Sequence, residues 1–329
     1  MYNNSNNNSN TMTIADSIRS HRPNIKDSTL QSYVLVINKL YSLVTDTVST
    51  MPNISFLSNR EMIVKKIEDK YKPNTQKNIY NAIVVALIAT KKSQDLIDFY
   101  GAKRDTLHQQ YETSLLDNKK TDRQASNWVS VAEIDTLLNK LRERFLDIYE
   151  SLPRTLEKKE LLEAQEYILL ATYREIPLRN DVANTQIISN IDTLTEKEQV
   201  SENYLVKLKS SYYFLLNNYK TEKTFGQKEI KMSKQLSRYV GYYIKIIKSV
   251  LNNKKIYFAY NTRLDPITPN GITKFFTKIF KREFNKNVST SLLRHIYLSD
   301  KYKKDLGERE KDSYKMGHNL TQQKHYIKK

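Results

Sequence analysis

From Asp27 onward an apolar residue returns every three or four positions. Leu30, Tyr33, Val34, Ile37, Leu40, Tyr41 and Val44 fall on one face of a helix, which Asp27, Ser28 or Thr29 is placed to cap. A loop around Met51-Pro52-Asn53 separates it from a second helix over residues 59–70 (NREMIVKKIEDK). Pro73-Asn74-Thr75 punctuates the chain before a third helix from Gln76 to about Thr90, and a fourth runs from Ser93 onward. Four short helices make a small bundle. The polar stretch LDNKKTDRQAS (116–126) then reads as a linker, and Ser130-Val131-Ala132-Glu133 starts the next helix with a capping box ahead of Ile134, Leu137, Leu138 and Leu141.

Past a further helix over 158–172 the period changes. Tyr204 to Lys209, Tyr212 to Asn217 and Lys228 to Met232 are short runs rich in Tyr, Val, Leu and Phe, with the turn-like TEKTFG between the last two. They predict a small antiparallel sheet. Helical spacing resumes at Leu236, Tyr239, Val240, Tyr243, Ile244 and Ile247, and again at Ile272, Phe275, Phe276, Ile279 and Phe280 after Pro269-Asn270-Gly271. Aromatics at that spacing are assigned to the core rather than to base stacking. The predicted fold is mainly α with a small antiparallel β-sheet. Its expected parts are a disordered polar tail (1–21), a helical bundle (22–116), a linker (117–126) and a larger mixed domain (127–329).

Composition narrows the function. A chain of 329 residues suits two domains. It has no cysteine, which removes disulfides, Cys-ligated zinc and thiol catalysis, and its five scattered histidines give no reason to expect a metal. No run approaches the ~18 apolar residues of a membrane span, and the first 15 residues are unlike a signal peptide. The expectation is a soluble, intracellular protein without membrane contact. Charge is placed unevenly: residues 1–200 hold 26 Lys+Arg and 26 Asp+Glu, residues 201–329 hold 28 and 10. An AT-rich codon bias would act on both parts equally, so the basic C-terminal part predicts a polyanion partner, nucleic acid first.

No Gly-rich phosphate loop, HExxH or GxSxG is present. The chemistry-bearing residues lie in YREIPLRNDVANTQI and in the final segment STSLLRHIYLSDKYKKDLGEREKDSYKMGHNLTQQKHYIKK. An arginine after a helix turn (Leu178-Arg179-Asn180-Asp181), an Arg-His pair (Arg294-His295), a Gly-His pair (Gly317-His318) and a terminal tyrosine (Tyr326) stand there in that order. The set resembles the active-site boxes of the tyrosine recombinase (phage-type integrase) family. DSTLQSYVLVINKL and KPNTQKNIYNAIVVAL are similar to paired helices of that family's core-binding domain, so the resemblance spans roughly residues 25–329.

That resemblance implies a helical core-binding domain and a mixed α/β catalytic domain clamping double-stranded DNA, with homo-tetramers on paired sites. It implies no cofactor and no metal: the enzyme cleaves and rejoins DNA through a 3′-phosphotyrosyl intermediate, for integration or excision of a viral or mobile element. Arg179 and Arg294 are suited to the non-bridging oxygens of a five-coordinate phosphorus, because each stays charged and offers a planar fork of donors. Tyr326 is the implied nucleophile, a weak one at its usual pKa near ~10. His318 would move a proton or bond the phosphate. In the family a lysine on a β-hairpin turn protonates the departing 5′ oxygen; Lys220 is the first choice and Lys223 the second.

The chain also departs from the pattern. Ser291 stands where family members usually have histidine and is read as a phosphate contact at best; His295 is assigned to packing. Asp181 follows Arg179 by two positions rather than three. Two alternatives therefore stand beside the recombinase: type IB topoisomerase-like relaxation, and a non-catalytic DNA-binding protein of the same fold.

Overall fold

The computed structural model describes residues 12–47, 51, 53–116, 119–251, 255–302, 309–317, 322, 323 and 326. The chain divides into two compact units, Met1–Asp117 and Asn118–Lys329.

The first unit holds helices α1 (Ile14–His21), α2 (Asp27–Thr45), α3 (Arg60–Lys70), α4 (Pro73–Ala89) and α5 (Gln94–Leu116). Pro73 opens α4 at a position where its missing N–H removes nothing. Helix α4 is buried almost all round, from Ile79 and Tyr80 through Ala82 to Leu87, because α1, α2, α3 and α5 all pack on it. Part of the disordered tail expected over 1–21 is helical instead, since α1 covers Ile14–His21. Thr13 and Asp16 close a capping box, and Ile18 is fully buried, so α1 pays for its ordering by packing on α4.

The second unit begins within the expected linker, where Thr121 caps the short α6 (Asp122–Ser126). It continues through α7 (Val131–Glu150), α8 (Lys158–Glu175), β1 (Gln186–Ile188), α9 (Glu196–Ser201), β2 (Tyr204–Leu208), β3 (Ser211–Leu216), α10 (Glu222–Phe225) and β4 (Lys228–Lys231). After these come α11 (Lys234–Val250), β5 (Ile256–Tyr257), α12 (Pro269–Phe284), α13 (Thr290–Lys301) and α14 (Arg309–Met316). Ser130 and Glu133 do form the box that starts α7.

The sheet is larger than expected and mixed. Its order is β4-β3-β2-β1-β5, with β1 parallel to β2 and the other pairs antiparallel. Strands β1 and β5, three and two residues long, are too short to show an alternation, which is why the sequence hid them. One sheet face joins the main core beside Phe145, Ile168, Tyr243 and Phe276. The other is covered by Ile191, Leu194 and Tyr213 over Ile188, Tyr204 and Val206. Tyr239, Tyr243, Phe276 and Phe280 are all core residues, as their spacing predicts.

Candidate active site

Arg179 is presented by a break in the chain. Helix α8 ends at Glu175 because Pro177 stops it. Leu178 is buried in the core, and Arg179 follows in extended backbone. The turn is pinned from three directions. The Tyr173 hydroxyl donates to the Arg179 carbonyl at 2.9 Å. The Asn180 amide donates to the Pro269 carbonyl at 2.7 Å and to Thr273 Oγ1 at 2.8 Å, both on α12. Buried Asn203 donates to the Asp181 carbonyl at 2.8 Å, while its Oδ1 accepts from the backbone N–H groups of Asn217 and Asn218. Asn203 thus couples the arginine turn to the β3–β4 connection, the segment that carries Lys220 and Lys223.

Arg294 sits one turn into α13 and is 8% exposed. Its Nε and Nη1 are buried without a hydrogen-bond partner among the described residues. Burial depresses its pKa, the Tyr326 hydroxyl counters this, and the Arg179 guanidinium adds to the depression. A buried guanidinium left without acceptors is costly unless an anion arrives to use its donors. Asp181 lies in the same field: burial raises its carboxyl, while Arg179, Arg294 and Lys228 pull it back.

The Gly317 carbonyl gathers these parts. It accepts from the Thr221 hydroxyl at 2.6 Å and from Arg179 Nη1 at 3.4 Å. Gly317 has φ +67°, and a Cβ there would lie 2.5 Å from Thr221 Oγ1 and 3.0 Å from Lys228 Nζ. Both the positive φ and the close approach call for glycine. Helix α14 leads to it, anchored by the fully buried Asp312, which accepts from Lys301 Nζ at 2.9 Å and the Tyr302 hydroxyl at 2.6 Å. Burial alone would raise the Asp312 carboxyl; those hydrogen bonds outweigh it and hold it below the usual range.

Lys228 is a buried lysine beside these groups that the sequence reading did not single out. It is 1% exposed, its Nζ donates to the Tyr314 carbonyl at 2.5 Å, and the rings of Phe225, Tyr219 and Tyr314 stand 4.5, 4.8 and 5.0 Å from it. Burial, with repulsion from Arg179 and partly offset by Asp181, lowers its pKa to about 8. Lys220 and Lys223 are exposed on the β3–β4 connection. The missed signal was the alternation in β4: Lys228 and Ile230 are buried, Glu229 and Lys231 exposed.

Tyr326 lies against α13. Arg294 Cζ is 5.1 Å from its ring centroid, and the His295 ring is 4.7 Å away, tilted by 36°. Ser291 is exposed on the first turn of α13. His318 lies outside the described residues. The structure thus brings Arg179, Arg294, Tyr326 and Lys228 into one electrostatically linked group around Asp181 and Gly317, with Lys220 and Lys223 at its exposed margin. Such a group can hold a phosphodiester, attack it with a phenol and protonate the leaving oxygen. Among the described residues no His, Asp or Glu cluster could hold a metal ion, and no helix is long and apolar enough to cross a membrane.

No protein-family profile and no curated protein matches the sequence. Solved structures do. The Tn1549 transposon integrase (residues 82–397) in complex with circular intermediate DNA aligns over 97% of this chain and 96% of its own, with 15% identity and TM-score 0.57. The same integrase with transposon right end DNA aligns over 96% and 94%, with 17% identity and TM-score 0.54. At these identities the likeness establishes the fold.

Proposed function

We propose that this chain, which has the tyrosine-recombinase fold, is a site-specific DNA recombinase that integrates or excises a mobile or viral element. The observation that carries the reading is the contact between Tyr326 and Arg294, a phenol set against a buried guanidinium with no acceptor for two of its nitrogens among the described residues. A DNA phosphate supplies the acceptors. Arg179 and Arg294 bond its non-bridging oxygens, and their charge opposes the charge that grows there in the five-coordinate transition state. The Tyr326 oxygen forms a bond to phosphorus as the bond to the 5′ oxygen breaks, leaving a 3′-phosphotyrosyl link. Return attack by a 5′ hydroxyl reverses the step, so the bond energy is kept and no nucleotide is consumed. His318, next to Gly317, assists proton movement, and Ser291 offers a hydroxyl to the phosphate. A homo-tetramer on paired double-stranded sites would complete strand exchange.

The proton for the 5′ oxygen comes from a lysine, and burial favours Lys228 over Lys220 and Lys223. An ammonium with its pKa near 8 is protonated at neutral pH, yet is a stronger acid than an exposed lysine. Single-turnover cleavage should therefore fall as pH rises through about 8. Lys228→Met should slow cleavage by roughly 10²–10⁴-fold and lose that limb of the profile. Loss of the limb in Lys220→Met instead would return the role to Lys220.

The function is tested with supercoiled plasmids carrying one or two copies of a site selected from DNA of the chain's own genome. Recombined products from two-site plasmids are expected. Relaxation of one-site plasmids without exchange would favour a topoisomerase, and salt-sensitive binding without any covalent product a silent binder.

A further inference from the structure

We propose that His295 is the positioning residue of the nucleophile, an assignment that rests on the reading of Tyr326 given above. Helix α13 carries Ser291, His295 and Ser299 at four-residue intervals, so they share one face, with Arg294 beside them. His295 Nδ1 is 2.9 Å from the Tyr326 carbonyl oxygen, and the Ser299 hydroxyl donates to the same oxygen at 3.3 Å. A carbonyl oxygen only accepts. Nδ1 therefore carries the proton, and in the neutral ring Nε2 is the acceptor.

The imidazole does a second thing that the serine cannot. Its ring lies 4.7 Å from the Tyr326 ring, on the helix turn from which Arg294 approaches the same ring. One contact fixes the tyrosine's backbone and the other restricts its ring, which together leave little freedom in where the phenol oxygen points. Arg294 and His295 are adjacent on one helix, so the phosphate-holding guanidinium and the nucleophile are set relative to each other by a single element. Near-attack placement of this kind is worth about 10²-fold when a shift of about 1 Å destroys it. It also gives the chain a histidine on its catalytic helix, one turn beyond Ser291, with a task different from bonding the phosphate.

The test uses the full chain in two measurements. The first is NMR of the ¹⁵N-histidine-labelled protein, with the His295 resonances identified by their absence in His295→Asn. The expected result is a ring that carries a proton on Nδ1; a neutral ring with its proton on Nε2 alone would overturn the contact. The second is single-turnover covalent attachment to nicked DNA, alongside DNA affinity. His295→Ala should attach about 10- to 100-fold more slowly with unchanged affinity. His295→Asn, whose amide nitrogen sits where Nδ1 was, should recover most of the rate, and His295→Gln, whose amide reaches the Nε2 position, should not. Equal impairment of Asn and Gln, or a wild-type rate in Ala, would overturn the proposal. No attachment by the wild-type chain would instead sink the recombinase reading, and the tautomer would still decide whether His295 holds Tyr326.

Discussion

Tyr326→Phe is expected to abolish covalent attachment to DNA while leaving DNA binding and folding intact. The change deletes one oxygen from a half-buried side chain. The ring contacts with His295 and Arg294 and the backbone contacts of Tyr326 survive it, so stability should move by no more than one hydrogen bond is worth, about 1.5 kcal/mol. The rate should not survive. With no nucleophile the phosphate remains bound but unattacked, a loss on the order of 10⁶-fold by comparison with nucleophile deletion elsewhere. Denaturing gels read the covalent adduct and fluorescence anisotropy reads the affinity. An adduct that persists in Tyr326→Phe would assign the chemistry to another residue.

Arg294→Met is expected to separate function from stability in opposite directions. The guanidinium is 8% exposed, with two nitrogens lacking acceptors among the described residues. Under the proposed function it is a desolvated charge held for a DNA phosphate. A methionine of similar length fills the same space without that charge, so the DNA-free protein should gain about 1–4 kcal/mol, seen as a rise of roughly 2–10 °C in Tm. Cleavage should fall by roughly 10³–10⁵-fold, the range found when an arginine that stabilises phosphoryl charge is removed. Arg294→Lys gives the control: it keeps a buried charge and so should not stabilise, and it loses the planar fork and so should not restore the rate. A large drop in Tm for Arg294→Met would mean that the side chain serves packing instead.

Much of this was legible in the sequence because the residues concerned obey local rules. Helices α2, α7, α11 and α12 show apolar stripes; α7, α11 and α12 start at the side-chain caps Ser130, Ser233 and Thr268, whereas α2 starts after Lys26 with no side-chain cap, so Asp27, Ser28 and Thr29 lie inside the helix rather than capping it. The boxes around Arg179, Arg294 and Gly317 are short and stand in order along the chain, which is what let them resemble a known family's motifs. What was hidden depends on distant partners. Helix α14 has few apolar residues; it is held by buried Asp312, tied to Lys301 at the end of α13 and to Tyr302 just after it, and by Met316 packed with Leu298 and Tyr302. Lys228 is one of many lysines until β4 is aligned against β3 and its alternation becomes a statement about burial. The choice of Lys220 followed the turn of the hairpin, and an exposed turn says nothing about which ammonium is desolvated. His295 was assigned to packing, and it does pack; its neighbour, 31 positions on, is the terminal tyrosine.

The basic C-terminal part fits this arrangement. Residues 201–329 carry 28 Lys+Arg against 10 Asp+Glu, and within them lie every site residue except Arg179 and Asp181. Charge of that kind suits affinity and steering toward a polyanion regardless of sequence; under the proposed function the chemical step falls to the few buried groups around Gly317.

The most direct test of the central claim is to identify the residue that becomes attached to DNA. The wild-type chain is incubated with nicked DNA from its own genome, quenched in denaturant and digested, and the nucleotide-bearing peptide is sequenced by mass spectrometry. The expected result is a single adduct on Tyr326 joined through a 3′ phosphate. An adduct on Tyr314 or any other residue, or linkage through a 5′ phosphate, would contradict the account.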